Sequence, residues 1–201
     1  MTPEEAAASP VRGDTPQLYF APDLAGYAWI FRKGDWLNVG IGRVGADKVS
    51  EHFDRFVERM RKEGMLPERL AQSKRKGHAY LLYPDATRPL VADGALLVGD
   101  AAGLAYPESG EGIRTAVESA LLAARVLRDC GGDYSAAKLA PYARAIEARY
   151  GPRRRVPAAG PVLAGPAKRA LAALLLRTHW FTREIVTRRW FLHEHVPPLS
   201  A

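Results

Sequence analysis

The sequence predicts a mixed fold: α+β in its first part, α/β-like in its second, with a helical tail. Three observations carry this. An aromatic and β-branched segment broken by Lys33-Gly34-Asp35 has the pattern of an antiparallel hairpin. A short apolar run over residues 95–99 leads through a glycine-rich loop into a helical spacing of apolar residues. Residues 151–201 hold nine Lys and Arg against two Glu, so they carry the whole net charge of +7.

A chain of 201 residues suffices for one large domain or two small ones. The hydrophobic content of 47% and charged content of 25% exclude a disordered chain. One cysteine, Cys130, excludes an internal disulfide and a cysteine-built metal cage, and fits a reducing compartment. The start of the chain has no basic segment and no long apolar run, so no signal peptide is expected. No apolar stretch reaches membrane-spanning length. The expected location is cytoplasmic, with peripheral contact at the inner face of a membrane.

Residues 1–16 carry three prolines and several alanines and read as a flexible lead-in. Residues 17–92 read as a sheet with a helix. Strands are expected at 17–20, 27–32, 36–41 and 79–83. Alternation puts Tyr27, Trp29 and Phe31 on one face of the second strand, with Ala28 and Ile30 on the other. A helix is expected over 47–63, where Val49, Phe53, Phe56, Val57 and Met60 form one stripe. Residues 93–150 read as a strand buried on both faces (95–99), a loop and two helices, the first marked by Ile113, Ala116, Val117, Ala120, Leu121, Ala124 and Leu127. Residues 151–201 read as a basic tail: a Pro/Gly-rich link, then helices over 167–176 and 178–191.

The loop is the segment that bears chemistry. A carboxylate at the end of a buried strand points into the crevice where α/β sheets bind ligands, and there Asp100 can accept hydrogen bonds from sugar-like hydroxyls. Small residues in Ala101-Ala-Gly103, and Gly110 and Gly112, let backbone approach a flat ligand. The helix that follows is expected to aim free N–H groups and its positive dipole end at the loop, which would stabilise a ring that becomes anionic on reduction.

Gly99-Asp-Ala-Ala-Gly103, a spacer, then Pro107-Glu-Ser-Gly-Glu-Gly-Ile113 resembles the second FAD fingerprint of the flavoprotein hydroxylase superfamily. The resemblance implies that Gly99, Asp100 and Ala101 meet the ribityl chain. It also implies that Pro107, Gly110, Glu111, Gly112 and Ile113 lie along the isoalloxazine ring. Tyr27-x-Trp29-x-Phe31, with Gly40-x-Gly42 on the next strand, is similar to the aromatic signature of geranylgeranyl reductases, with Arg32 where the family usually has proline. That implies an FAD-dependent reductase of isoprenoid double bonds, with Tyr27, Trp29 and Phe31 lining an apolar substrate cavity. No side chain is assigned as catalytic acid.

The resemblance covers about residues 17–150 and implies the C-terminal half of the family fold. The Gly-x-Gly-x-x-Gly strand-loop-helix that binds the ADP part of FAD is missing. Gly40, Gly42 and Gly45 have that spacing, but they sit at the end of a hairpin strand and lead to no βαβ unit, so they are rejected as such a site. The missing FAD half is supplied by a partner chain, was lost from the gene, or belongs to a longer protein of which this is a fragment; the sequence leaves the three open. Two alternatives remain: an FAD-dependent monooxygenase, and a non-catalytic, membrane-associated remnant or subunit.

Other groupings are weaker. Ser109 has part of a nucleophile elbow, but Pro107 stands where glycine is required. His193-Glu-His195 lacks a third metal ligand at useful spacing, so no metal site is expected and the pair reads as a solvated helix end. The arginines of the tail, interleaved with Trp180, Phe181, Trp190 and Phe191, suit contact with an anionic membrane through residues 151–201; no nucleic acid is expected.

Overall fold

The computed structural model describes residues 1–45, 48–69, 75–153 and 165–199. They form a mixed α/β chain with small antiparallel sheets, divided into two compact units, Met1–His78 and Ala79–Ala201. The break falls ahead of the Asp93-Gly94 turn at which the sequence reading starts its second part.

The first unit is a three-stranded antiparallel sheet with one long helix. Strands β1 (Gln17–Phe20), β2 (Gly26–Lys33) and β3 (Trp36–Arg43) pair in that order. Lys33 opposes Trp36, so Gly34 and Asp35 make a two-residue turn, as expected of a Gly-Asp hairpin. Arg32 donates from its guanidinium to the Gly34 carbonyl at 2.9 Å and to the Val11 carbonyl at 3.3 Å. Helix α2 (Val49–Lys62) lays Phe56, Val57 and Met60 on the sheet, against Ala28 and Ile30. Ile30 and Met60 are fully buried, each contributing roughly 1.5–3 kcal/mol of apolar burial. Asp47, where the sequence starts this helix, lies outside the described residues.

Residues 1–16 are not a loose lead-in. They hold a helix, α1 (Pro3–Ala8), closed by a reciprocal capping box between Thr2 and Glu5. Val11 is completely buried in the sheet–helix core, which holds the segment in place.

In the second unit, β4 (Val91–Ala92) and β5 (Ala95–Leu96) form a minimal hairpin, and α3 (Ile113–Asp129) and α4 (Ala136–Tyr150) pack beside it. Tyr83, Ala102, Leu104, Leu122, Ala123, Tyr142 and Ile146 make the core. Tyr142 is fully buried, and its hydroxyl donates to the Leu97 carbonyl at 2.6 Å.

Three expectations for this unit are corrected. Residues 79–83 form no strand; only Leu82 bridges Ala105, and Tyr80 and Leu81 are exposed. The run 95–99 is not a strand covered on both faces: it pairs at two residues, and Val98 is exposed. Among the described residues, no further neighbouring strand extends or covers either segment. The inward face of α3 is also not the apolar stripe. Thr115, Glu118, Ser119, Leu122 and Ala123 point in, whereas Ile113, Val117 and Leu121 are 79%, 56% and 49% exposed. Two of the polar inward residues are satisfied locally, as the Thr115 hydroxyl donates to the Gly112 carbonyl and the Ser119 hydroxyl to the Ala116 carbonyl, and Glu118 finds partners on α4.

The tail contains α5 (Gly165–Leu175) and α6 (Phe181–Phe191), the latter a wide helix in which the Leu192 N–H reaches back five residues to the Thr187 carbonyl. Most of the Pro/Gly-rich link lies outside the described residues. Among the described residues no helix is long and apolar enough to cross a membrane.

Candidate functional site

The chain leaves β5 through Leu97 and Val98 and turns sharply at Gly99–Ala102. Gly99 is buried at the base of the turn, with its N–H donating to Ser119 Oγ at 3.0 Å. That anchor turns Asp100 outward to an exposed position. The Asp100 carboxylate lies over Gly112, and a Cβ at residue 112 would stand 2.9 Å from Asp100 Oδ1, so a side chain there would push the carboxylate aside. Asp100 and Ala101 border an open cavity of about 470 Å³ whose other walls are Ala79, Tyr80, Leu81 and Arg88.

Tyr80 and Arg88 were not singled out in the sequence. The Tyr80 hydroxyl donates to the Gly110 carbonyl at 2.9 Å, and Arg88 donates to the Ala101 carbonyl at 3.2 Å. Burial raises the Tyr80 pKa, helped by the charges of Asp100 and Glu111, so the phenol stays a donor. Each residue bonds to backbone of the loop, and a bond to backbone leaves no motif to announce it.

The second arm of the loop closes on itself. The Gly110 N–H bonds the Tyr106 carbonyl at 2.8 Å and the Tyr106 N–H bonds the Glu111 carbonyl at 2.9 Å. Pro107 and Ile113 are exposed, whereas Ser109 is buried. Glu111 departs from expectation. Its carboxylate accepts from the N–H groups of Ile113 and Arg114, so these first amides of α3 are capped from within rather than free.

Behind the loop stands a buried ion cluster. Glu118, with its side chain 7% exposed, accepts from Arg114 at 2.9 Å, from Arg149 at 2.7 and 2.8 Å and from the Tyr150 hydroxyl at 3.0 Å. Burial is the largest influence on its carboxyl and pushes it up, but the three hydrogen-bonding partners together outweigh it and bring the pKa to about 2. The guanidiniums it fixes reach the end of the chain: Arg114 donates to the carbonyls of His193, Val196 and Pro197, and Arg149 to that of Pro197.

His193 is therefore not a solvated helix end. It is 5% exposed, its ring stacks on Tyr106 with centroids 3.7 Å apart, and its Nε2 lies 3.3 Å from Ser109 Oγ. Eighty-four positions separate that Ser–His pair, so spacing holds no trace of it.

In the first unit, Tyr27, Trp29 and Phe31 share the sheet face opposite the core, half-buried, while Ala28 and Ile30 fill the core. With Phe20 they make a ladder of rings at centroid spacings of 6.1, 5.9 and 6.3 Å. The Trp29 indole lies flat across β3, where a Cβ on Gly40 would be 2.2 Å from a ring carbon, and its N–H donates to Asn38 Oδ1 at 2.6 Å. The glycines of β3 thus serve a ring within an antiparallel sheet, in keeping with their rejection as a nucleotide loop.

No protein-family model matches the chain. It is similar to the digeranylgeranylglycerophospholipid reductase of Methanosphaerula palustris, with 38% identity over 135 residues, covering 62% of this chain and 32% of the relative. The enzyme of the same name from Methanocaldococcus jannaschii is 36% identical over 117 residues, covering 55% and 28%. Among solved structures, a geranylgeranyl bacteriochlorophyll reductase-like protein from Thermoplasma acidophilum is similar with a TM-score of 0.50 and 26% identity, over 72% of this chain and 37% of that one. The chain spans about a third of the length of the curated relatives it matches. Over that span it resembles the geranylgeranyl reductase family, to which its aromatic strand and glycine-rich loop already pointed.

Proposed function

We propose that this chain is the flavin-ring and substrate-facing portion, C-terminal in its family, of an FAD-dependent oxidoreductase that reduces double bonds of an isoprenoid lipid. The approach of Asp100 to Gly112 carries the reading. A strand end and a helix start meet around one outward carboxylate, which a side chain at residue 112 would displace. The similarity to reductases of digeranylgeranylglycerophospholipids supports the substrate class.

The residues fit the ribityl and ring portions of FAD. Gly99, Asp100 and Ala101 would hold the ribityl hydroxyls; Pro107, Gly110, Glu111, Gly112 and Ile113 would lie along the ring. When bound, the flavin supplies hydride to the alkene. Asp100 accepts hydroxyl hydrogens, while Tyr80 and Arg88 hold the loop backbone in shape. Tyr27, Trp29 and Phe31 offer an apolar ring surface to a prenyl chain and exclude water from it.

The pyrophosphate part of the site is proposed to come from polypeptide other than residues 1–201. The outward apolar stripe of α3 and the barely paired strand at Ala95–Leu96 support this, since both lack covering neighbours among the described residues. Peripheral membrane contact is proposed for the tail, where Leu171, Leu174 and Trp180 are exposed among its basic residues.

The test is an FAD titration of the purified chain, followed by visible absorbance and equilibrium dialysis. Weak binding that disappears in Asp100→Ala is expected. If wild-type chain binds no flavin even at high FAD, the enzyme reading falls for the isolated chain. With flavin bound, anaerobic reoxidation by a geranylgeranyl lipid supports the reductase; product formed only with oxygen replaces it by a monooxygenase.

A further inference from the structure

The end of α6 and the segment that follows it are built into the glycine-rich loop. Segment 190–197 touches loop 106–112 and helices α3 and α4 by four kinds of contact. The Trp190 indole N–H donates to the Glu108 carbonyl at 3.1 Å. The His193 imidazole stacks on Tyr106 and meets Ser109 Oγ. The Ser109 hydroxyl in turn accepts from the Glu111 N–H at 3.2 Å, which ties the histidine to the backbone of the ring-side turn. Arg114 and Arg149, both held by Glu118, seize the carbonyls of His193, Val196 and Pro197.

His193 also adopts a left-handed backbone conformation, φ 50°, which a residue with a Cβ keeps only when its surroundings impose it. The Val196 N–H closes the turn on the His193 carbonyl at 2.9 Å. A chain end tethered by side chains from two helices and a loop is a clamp, not a frayed terminus.

We propose that segment 190–197 clamps the ring-side loop, with His193 and Trp190 as positioning residues that hold Pro107–Gly112 in shape for the ligand. Its consequence for flavin rests on the function proposed above. A loop already ordered loses less conformational freedom on binding, so the clamp strengthens binding without touching the ligand.

The test is hydrogen exchange of the full chain without flavin, comparing wild type with His193→Ala, Ser109→Ala and Trp190→Phe. The last two each remove one polar group and keep the test alive should His193→Ala fail to fold. Amides of 106–112 are expected to exchange about tenfold faster in the variants, while amides of 139–146 in the α4 core keep wild-type protection. Unchanged loop protection overturns the clamp, and so does equal loss in loop and core, which marks general destabilisation. An FAD titration of the same proteins then reads the consequence. A several-fold weaker half-saturation in the variants supports it, and equal binding despite a loosened loop overturns it. A selectively loosened loop in a chain whose wild type takes up no FAD leaves the clamp standing and refutes the flavin reading.

Discussion

The Trp29 indole covers Gly40 so closely that a Cβ there would lie 2.2 Å from a ring carbon. In an open strand, Gly→Ala stabilises by roughly 0.5–1 kcal/mol. Here the clash reverses the sign, and overpacking costs about 1–3 kcal/mol. Gly40→Ala is expected to destabilise the first unit by about 1–2 kcal/mol in urea unfolding. It should also change tryptophan fluorescence in the native state. A stabilised variant with unchanged fluorescence would refute the packing argument.

Glu118 compensates two guanidiniums at a site where its own side chain is 7% exposed. Removing one member of a buried ion cluster costs about 3–5 kcal/mol, because the remaining charges stay desolvated without a partner. Glu118→Ala should therefore lower the stability of the second unit by that order and release the chain end, read as faster proteolysis near residues 193–197. The wild-type carboxyl titrates at about 2, below its ordinary 4.5. Its contribution is therefore fully present above about pH 4.5 and is lost as pH falls toward 2. Acid unfolding of Glu118→Ala should lose this component.

His193 gives a second pH dependence, of the opposite group type. Burial lowers its pKa from 6.5; Glu108 and Glu111 oppose that shift, and His195 and Arg114 reinforce it. The detached segment then binds a proton more readily than the docked one. Docking is at full strength above pH 6.5 and weakens as pH falls below it. Exchange protection of residues 190–197, corrected for intrinsic rates, should drop between pH 7.5 and pH 5.5 in wild type. Ser109→Ala, which keeps the buried ring, should retain the trend, and His193→Phe should abolish it.

Asp100 and Gly112 can be separated by substitution. Asp100→Ala removes a charged hydrogen-bond acceptor, worth about 1.5–3 kcal/mol, or roughly 10- to 100-fold in FAD affinity. Gly112→Ala keeps the carboxylate but places a methyl 2.9 Å from Oδ1, and should weaken FAD binding through displacement of Asp100. Isothermal titration of both variants checks this; unaltered affinity in Asp100→Ala would remove the residue from the site.

Local patterns were legible wherever a short-range rule governed them. The Gly34-Asp35 hairpin follows from turn chemistry, the α2 stripe from helical spacing, and the alternation of Ala28 and Ile30 against Trp29 from the pleat. The face of α3 was misread because hydrophobicity assumes that apolar residues turn inward, whereas here Glu118 and Ser119 do so by finding partners on α4 and at Gly99. The strand at 79–83 was misread because propensity says nothing about whether a neighbouring strand is there to pair with it.

The motif residues, the hairpin and the charge asymmetry of the tail were determined by the sequence alone, because each depends on residue type and near spacing. Tertiary structure decided what no spacing encodes. It brought Tyr80 and Arg88 to the loop backbone, set Glu118 between two arginines, and seated His193 on Tyr106 and Ser109. Those contacts join residues far apart in the chain: the ones made by Glu118 and His193 are buried, those of Tyr80 and Arg88 lie at the surface, and all of them exist only once the second unit has folded.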